Sequence, residues 1–410
     1  MHVGIAGPIA TSDISALLEG SVDQLPRGYV GAPLLATLIG ELIRRGHQVT
    51  AFTLSSDLPL RDDATVVAKG QALQVHYVPM RPRAWPMNGW RPGRIVDLYR
   101  FERRGLVCAI AEARPDVIHA HWAYEFAWAA LTSGLPHVIT SHDSPFVIAR
   151  YFRGFKLGGY RRLRAAMAWH VLRQARHVTT VSPYMVDQIQ PLCRVPVALV
   201  PNPIADQAFA QRREAEPGRM RVMMVCNGWD QRKNGETALR AFAQLGQVLP
   251  GVQLVACGFG FGPGEQASEW WAAQGFQGDV CFLGGISHAA ILREMARSNV
   301  LLHPALEESF GAVVAEAMAV GLPVVAGVRS GAVPWVAGDA GQLVDVADPD
   351  AIAGALLGLF ESPQRMNRMA ERGQVQASSR FGAKAVSALY EDAYRYSISA
   401  ACPATAGVPT

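Results

Sequence analysis

The 410-residue chain is poor in paired cysteine. Its six cysteines (Cys108, Cys193, Cys226, Cys257, Cys281, Cys402) are scattered, and no two stand in a C-x-x-C spacing. That argues against a disulfide scaffold and a cysteine-rich zinc module. Most of them sit in apolar runs and read as free, buried thiols of a reducing cytosol. Long hydrophobic runs are missing too: none reaches the roughly 18 residues of a bilayer-spanning helix. The start, MHVGIAGPIA, has no basic region followed by a long apolar one and reads as a first strand rather than a signal peptide. No repeat of solenoid length occurs. No G-x-G-x-x-G follows the first strand-like run, which counts against a nicotinamide-dependent dehydrogenase. Between Asp143 and Asp187 no acidic residue occurs at all.

Half of the residues are hydrophobic and 18% are charged, the composition of a globular protein with a sizeable core. The length fits two or three domains. The net charge of +4 conceals an asymmetry. Residues 1–205 carry 22 Lys and Arg against 14 Asp and Glu, whereas residues 206–410 carry 16 against 20. Two domains with different partners are expected.

Both halves alternate short apolar runs with helical patterns. HVGIAG, HQVTAFTL, PDVIHAH, PHVITSH and HVTTVS read as strands of the first half. RVMMVCNG, VQLVACGFG, DVCFLGG, NVLLHPA, LPVVAG and GQLVDV read as strands of the second. The segments between them, such as APLLATLIGELIRRG and GETALRAFAQLGQVL, have helical spacing. The expected class is α/β, with two facing Rossmann-like domains, parallel sheets and an inter-domain cleft, since ligands gather outside the carboxyl ends of such strands. Pro, Asn and charge cluster in VPNPIADQAFAQRREAEPGR. The expected boundaries are therefore an N-terminal domain at 1–201, a linker at 202–219 and a C-terminal domain at 220–380. A helix at 381–397 would pack back on the first domain, ahead of a flexible tail at 398–410.

The segment HPALEESFGAVVAEAMAVGLPVVAG raises the chemical question, because it keeps carboxylates in an otherwise apolar run. Seven residues separate Glu308 from Glu316. The strand NVLLHPA, which LEESF leaves, places Glu308 in the loop beyond it and Glu316 on the next helix. The backbone N–H groups of Phe310, Gly311 and Ala312 open that helix, where donors lack partners and phosphate is attracted. Glu308 and Glu316 could then accept from sugar hydroxyls on either side of a diphosphate. On spacing alone, a solvated helix residue and a dipole-favoured N-terminal acid fit equally well.

EESFGAVVAEAMAVGLPVVAG resembles the E-x7-E signature of family four retaining glycosyltransferases ("glycosyl transferases group 1"), which have the GT-B fold. GHQVTAF, DVIHAHW, VITSHD, VSPYM, VPNPI, DVCFLGGI and DPDAIAGAL stand in that family's order, so the resemblance spans most of the chain. It implies transfer of a hexose-type sugar from a nucleoside-diphosphate sugar, UDP- or GDP-linked, with retention of configuration. It also implies no bound metal and no cofactor. By the resemblance Glu316 holds donor ribose hydroxyls, Glu308 contacts the transferred sugar, and Ser309, Phe310, Gly311 and Ala312 complete the donor site. Arg232 and Lys233 in RKN clamp the diphosphate, although Gly228-Trp229 stands where the family has Gly-Arg. Gly31, with Gly28 nearby, belongs to a degenerate glycine loop close to the donor phosphates and acceptor. His121 stabilises the reacting sugar, and His142 and Asp143 are further cleft candidates. His119 is read as alternating to the other side of its strand. In SGAVPWVA, Ala332 and Trp335 replace the family's second Gly and its Glu, and no site is assigned there.

Eight basic residues and interleaved aromatics fill 150–176, including RYFRGFKLGGYRRLR. They suit an anionic membrane surface, each near-surface charge adding about 1 kcal/mol; a solvated face or an anionic acceptor would also fit. No nucleic-acid recognition motif is present. The expected acceptor is a saccharide or lipid-linked molecule in cell-surface glycan or glycolipid biosynthesis. The expected location is the cytoplasm, peripheral at the inner face of the cell membrane. The competing readings are a glycoside hydrolase using Glu308 and Glu316 and a catalytically degenerate binding protein.

Overall fold

The computed structural model describes residues 1–61, 64–152, 154–214 and 218–401. The first sheet contains β1 (His2–Ala6), β2 (Gln48–Ser55), β3 (Val66–Lys69), β4 (Leu73–Pro79), β5 (Val117–His121), β6 (His137–Ser141), β7 (Val178–Thr180) and β8 (Val197–Leu199). Their spatial order is β3-β4-β2-β1-β5-β6-β7-β8. Every neighbouring pair is parallel except β3 with β4, an antiparallel edge. The second sheet contains β9 (Arg221–Val225), β10 (Gln253–Cys257), β11 (Asp279–Gly284), β12 (Val300–His303), β13 (Val324–Gly327) and β14 (Gly341–Val344). Its order is β11-β10-β9-β12-β13-β14, parallel throughout.

The strand sequences explain this layering. RVMMV and QLVAC are buried at every residue, as parallel strands covered by helices on both faces must be. The expected strands are all present. Val66–Lys69, Leu73–Pro79 and Val197–Leu199 are additional; the last is partly exposed and lacks a clear apolar pattern.

The two compact units are Met1–Val181 with Met185–Pro203 and the chain from Val386, and Ser182–Tyr184 with Ile204–Ala385. Residues 202–219, read as a linker, contain the helix Asp206–Ala210 with Ala208 buried; residues 215–217 lie outside the described residues. The last helix, Ala383–Ala401, runs through positions 398–401, read as flexible tail, while 402–410 lie outside the described residues. Its Val386, Tyr390 and Tyr394 are buried in the core of the first unit with Leu35, Ile39 and Val49. Glu391 accepts from Arg45 Nε at 2.6 Å and lies 2.8 Å from His47 Nε2.

Both sheets reverse their winding once. In the first, β1 lies between β2 and β5, and in the second, β9 lies between β10 and β12. Crevices outside the carboxyl ends of strands at such reversals are where α/β sheets hold ligands. The residues singled out by sequence follow β1, β5 and β6 in one unit and β9 and β12 in the other.

Candidate active site

In the second unit, Glu308 leaves β12 and Arg232 and Lys233 follow β9, the two strands flanking the reversal. Lys233 Nζ donates to Glu308 Oε1 at 2.6 Å, and Arg232 Nη1 stands 3.9 Å from the same oxygen. Arg232 also donates to the Glu307 carbonyl at 3.3 Å. The Glu308 side chain is only 16% exposed. Burial alone would raise its pKa, but the charge and hydrogen bond of Lys233, with the charge of Arg232 beside it, outweigh burial and hold it below the usual range. His303, at the end of β12, is pushed down to about 4 by burial and is neutral at pH 7. Both its ring nitrogens are buried without a hydrogen bond, Nε2 being 3.8 Å from Glu308.

The loop around Glu308 is tightly determined. Glu307 accepts from the Tyr184 hydroxyl at 2.7 Å, and the Ser309 carbonyl accepts from Ser182 at 2.6 Å. Ala332 N–H donates to the Glu308 carbonyl at 2.9 Å. Gly331, at φ +61°, lies where an added Cβ would come within 2.4 Å of that carbonyl, so the bracing loop needs glycine there. Gly311 caps the helix Ala312–Val320 in a left-handed conformation at φ 88°. The helix thus opens at Phe310, Gly311 and Ala312, with N–H groups that have no carbonyl one turn earlier. Glu316 stands within it, 2.8 Å from His288 Nε2.

The two departures from the family pattern are packing residues. Trp229 meets Phe261 edge-on at 5.5 Å and Trp270 at 5.8 Å. Trp335 packs with Phe381 at 5.7 Å and Phe310 at 6.4 Å, under the guanidinium of Arg380 at 4.4 Å. Asn234 of the RKN segment is left-handed (φ 56°), and its amide donates to the carbonyls of Pro304 and Val346 at 3.1 and 2.7 Å. It ties the basic loop to the chain beyond β12.

In the first unit, His121 at the end of β5 and His142 just after β6 come together. Nδ1 of His121 lies 2.8 Å from Nε2 of His142, and both residues are buried. Trp122, against the His142 ring at 4.3 Å, has φ 63°. A left-handed tryptophan is a strained backbone of the kind held at functional sites. His119 does not alternate away: its ring lies 4.0 Å from that of His121. Strand side chains repeat every two residues, so positions 119 and 121 share a face. His119 is satisfied by the Tyr394 hydroxyl and Thr140 Oγ1, each at 2.7 Å.

Beside this pair lies a pocket of about 270 Å³ lined by residues including Tyr29, Gly31, Tyr124, Asp143, Arg161 and Arg164. The Tyr124 hydroxyl donates to Asp143 at 3.0 Å, and burial raises the Asp143 pKa. Arg164 pairs with the buried Glu125 and lies over the Tyr124 ring at 3.6 Å. Arg161 Nε is buried without a partner. Gly31 has nothing within 4 Å of an added Cβ, whereas Gly28 would strike the Ile9 carbonyl at 2.3 Å, so Gly28 is a packing residue of the turn.

The basic stretch 150–176 is therefore not one solvated face. Arg164 turns inward, and Arg161 is half-buried against Phe152 and Tyr160. Arg150, Lys156 and Arg162 are exposed, as are Phe146, Leu157 and Trp169; Arg153 lies outside the described residues. Sequence grouped Arg164 with the basic stretch and missed its inward turn, and Glu125, Tyr124, Tyr184, His288 and His303 were not singled out. The Arg164–Glu125, His288–Glu316 and Tyr184–Glu307 contacts join segments 28–123 residues apart, which local spacing does not carry.

Two sequence profiles account for most of the chain. Residues 33–207 match that of Glycosyltransferase Family 4, and residues 206–376 match that of Glycosyl transferases group 1. The chain belongs to this glycosyltransferase family. The glycosyltransferase is 28% identical over 316 residues to a 2-deoxystreptamine N-acetyl-D-glucosaminyltransferase of Streptomyces fradiae, covering 72% of this chain and 74% of that one. It is 26% identical over 375 residues to a D-inositol 3-phosphate glycosyltransferase of Stackebrandtia nassauensis, covering 83% and 80%. Among solved structures, sucrose-phosphate synthase of Thermosynechococcus elongatus superposes with a TM-score of 0.74 at 19% identity, covering 97% of this chain and 99% of that one. Anabaena HepE in complex with UDP and glucose superposes at 0.66 and 17%, covering 97% and 100%. These likenesses establish the GT-B fold class, and the family makes the protein a hexosyltransferase. Among the described residues, no helix is long and apolar enough to cross a membrane.

Proposed function

We propose that this enzyme transfers a hexose-type sugar from a UDP- or GDP-sugar to a saccharide or lipid-linked acceptor, with retention of configuration and without a metal. The observation that carries this reading is the convergence of Lys233, Arg232 and Glu308 at the reversal between β9 and β12, beside the start of the helix bearing Glu316. Arg232, Lys233 and the helix N–H groups supply the positive charge that a departing diphosphate needs. Glu316 accepts from the ribose hydroxyls through the oxygen that His288 leaves free, and Glu308 accepts from hydroxyls of the transferred sugar. UDP and glucose bound to the similarly folded Anabaena protein support a nucleoside-diphosphate donor.

The acceptor enters on the first unit, where His121, Gly31, Asp143 and the Arg161–Arg164 pocket offer hydroxyl-binding groups. The acceptor oxygen bonds to the anomeric carbon on the face from which the diphosphate oxygen leaves. The departing phosphate takes the acceptor proton. Exposed Arg150, Lys156 and Arg162 beside Phe146, Leu157 and Trp169 support peripheral contact with an anionic membrane, in keeping with a role at the cytoplasmic face in cell-surface glycan or glycolipid synthesis.

The deciding experiment is thermal unfolding with UDP, GDP, ADP, CMP and NAD, each with and without EDTA. One nucleoside diphosphate should raise Tm regardless of EDTA. A shift with NAD alone would sink the reading.

A further inference from the structure

The pocket of about 270 Å³ in the first unit holds one guanidinium that the protein leaves without a partner. Among its lining residues, Pro8 follows β1, Trp122 follows β5 and Asp143 follows β6. The pocket therefore opens at the carboxyl edge of the sheet, beside the strand where the winding reverses. Its volume is at the small end for ligand sites and suits one sugar ring rather than a chain of them.

Two arginines of the helix Gly159–Gln174 line this pocket. Arg164 is answered by Glu125 and lies over the Tyr124 ring. Arg161 is not answered. Its guanidinium rests on Phe152 at 4.7 Å and Tyr160 at 6.0 Å, which hold it in place without neutralising it. Its Nε is buried without a hydrogen bond. Its terminal nitrogens are neither buried nor bonded to any described residue, so they are left to the pocket. Asp143 lines the same pocket but forms no ion pair with Arg161, and its Oδ1 accepts from the Tyr124 hydroxyl at 3.0 Å.

The charges around the pocket do not balance. Arg94 acts on the Tyr29 wall through its charge, and it donates to the Arg81 carbonyl at 2.6 Å and the Tyr99 hydroxyl at 3.3 Å, not to a carboxylate. Arg94, Arg161 and Arg164 thus face only Glu125 and Asp143, an excess of one positive charge. A half-buried charge without a counter-charge is costly, and a planar guanidinium fork matches carboxylate and phosphate oxygens. A neutral sugar would leave Arg161 unanswered, and an amino sugar would be repelled by it.

We propose that Arg161 is a specificity-determining residue of the acceptor pocket, selecting a saccharide that carries a carboxylate or phosphate group while Asp143 accepts from one of its hydroxyls. The proposal rests on the acceptor site assigned above and names the acceptor's charge.

The test is isothermal titration of the full chain with glucose, glucuronate and glucose 6-phosphate, in the native protein and in Arg161→Met, Arg161→Lys and Lys233→Ala. One of the two acids should bind about tenfold more tightly than glucose to the native protein. Arg161→Met should abolish that preference without lowering Tm, since no protein group loses a hydrogen bond. Arg161→Lys should keep part of it, and Lys233→Ala should keep all of it. Equal binding of the three sugars, a preference that survives Arg161→Met, or one lost in Lys233→Ala would overturn the proposal; the last would put the acid in the diphosphate site. Vesicles of phosphatidylcholine with and without phosphatidylinositol form the lipid arm: sedimentation that needs both the inositol lipid and Arg161 would support an anion carried by a lipid-linked acceptor. Arg161-dependent acid binding in a protein that turns over no nucleotide sugar would support the selectivity and overturn the transferase reading. Turnover that uses glucose and the acids alike would overturn the selectivity alone.

Discussion

Nζ of Lys233 lies 2.6 Å from Oε1 of Glu308, so two residues that sequence assigned to different parts of a donor are partners before any donor arrives. The pair keeps Glu308 ionised despite its burial. On the function proposed above, a bound diphosphate would share Lys233 with a carboxylate, leaving Arg232 and the helix start to carry the remaining negative charge. Lys233→Ala should lower kcat/KM about 10²–10³-fold, the range for loss of one group stabilising developing charge. Steady-state kinetics with the preferred donor measure this, and a change under threefold would contradict the role.

Glu316 is held by His288 through one oxygen. Glu316→Ala should abolish the nucleotide-dependent rise in Tm, which at a hundred times Kd represents about 2.7 kcal/mol. His288→Ala should weaken that shift without removing it, because the carboxylate remains. Equal loss in both variants would show that the histidine contacts nucleotide itself.

Glu125 is almost wholly buried and is neutralised by Arg164. Arg164→Met should cost about 3–5 kcal/mol by stranding that carboxylate. Arg164→Met with Glu125→Gln should recover much of the loss. A surface arginine would show neither effect, so denaturant unfolding of the three proteins tests its inward orientation directly.

Glu391 anchors the last helix to Arg45 and His47, and its pKa is lowered to about 2, first by the Arg45 hydrogen bond. A carboxyl lowered on folding stabilises the native state fully above its ordinary pKa of 4.5 and loses that contribution as pH falls toward about 2. Glu391→Gln should therefore lower stability by roughly 1–3 kcal/mol at pH 7. The difference from the native protein should shrink steadily below pH 4.5. A constant difference down to pH 3 would contradict the linkage.

Gly331 leaves no room for a side chain beside the Glu308 carbonyl. Gly331→Ala should displace the Glu308 loop and lower kcat/KM more than it lowers Tm. A fall in Tm alone would confine the glycine to folding.

The sequence by itself determined the α/β layering and the buried strands, though not Val66–Lys69, Leu73–Pro79 or Val197–Leu199. Apolar runs such as RVMMV and VLLH, short and alternating with helical segments, read as covered strands, and the E-x7-E spacing puts one carboxylate before a helix and one within it. Those are short-range facts, set by backbone periodicity and by the unpartnered groups at helix ends. Tertiary structure decided who meets whom. It paired Lys233 with Glu308, His288 with Glu316 and His121 with His142, turned Arg164 away from the basic surface, and filled positions 229 and 335 with packed rings. The physical reason is that strand order brings distant segments to one sheet edge, and a buried polar atom there must find its partner among residues no local pattern connects to it.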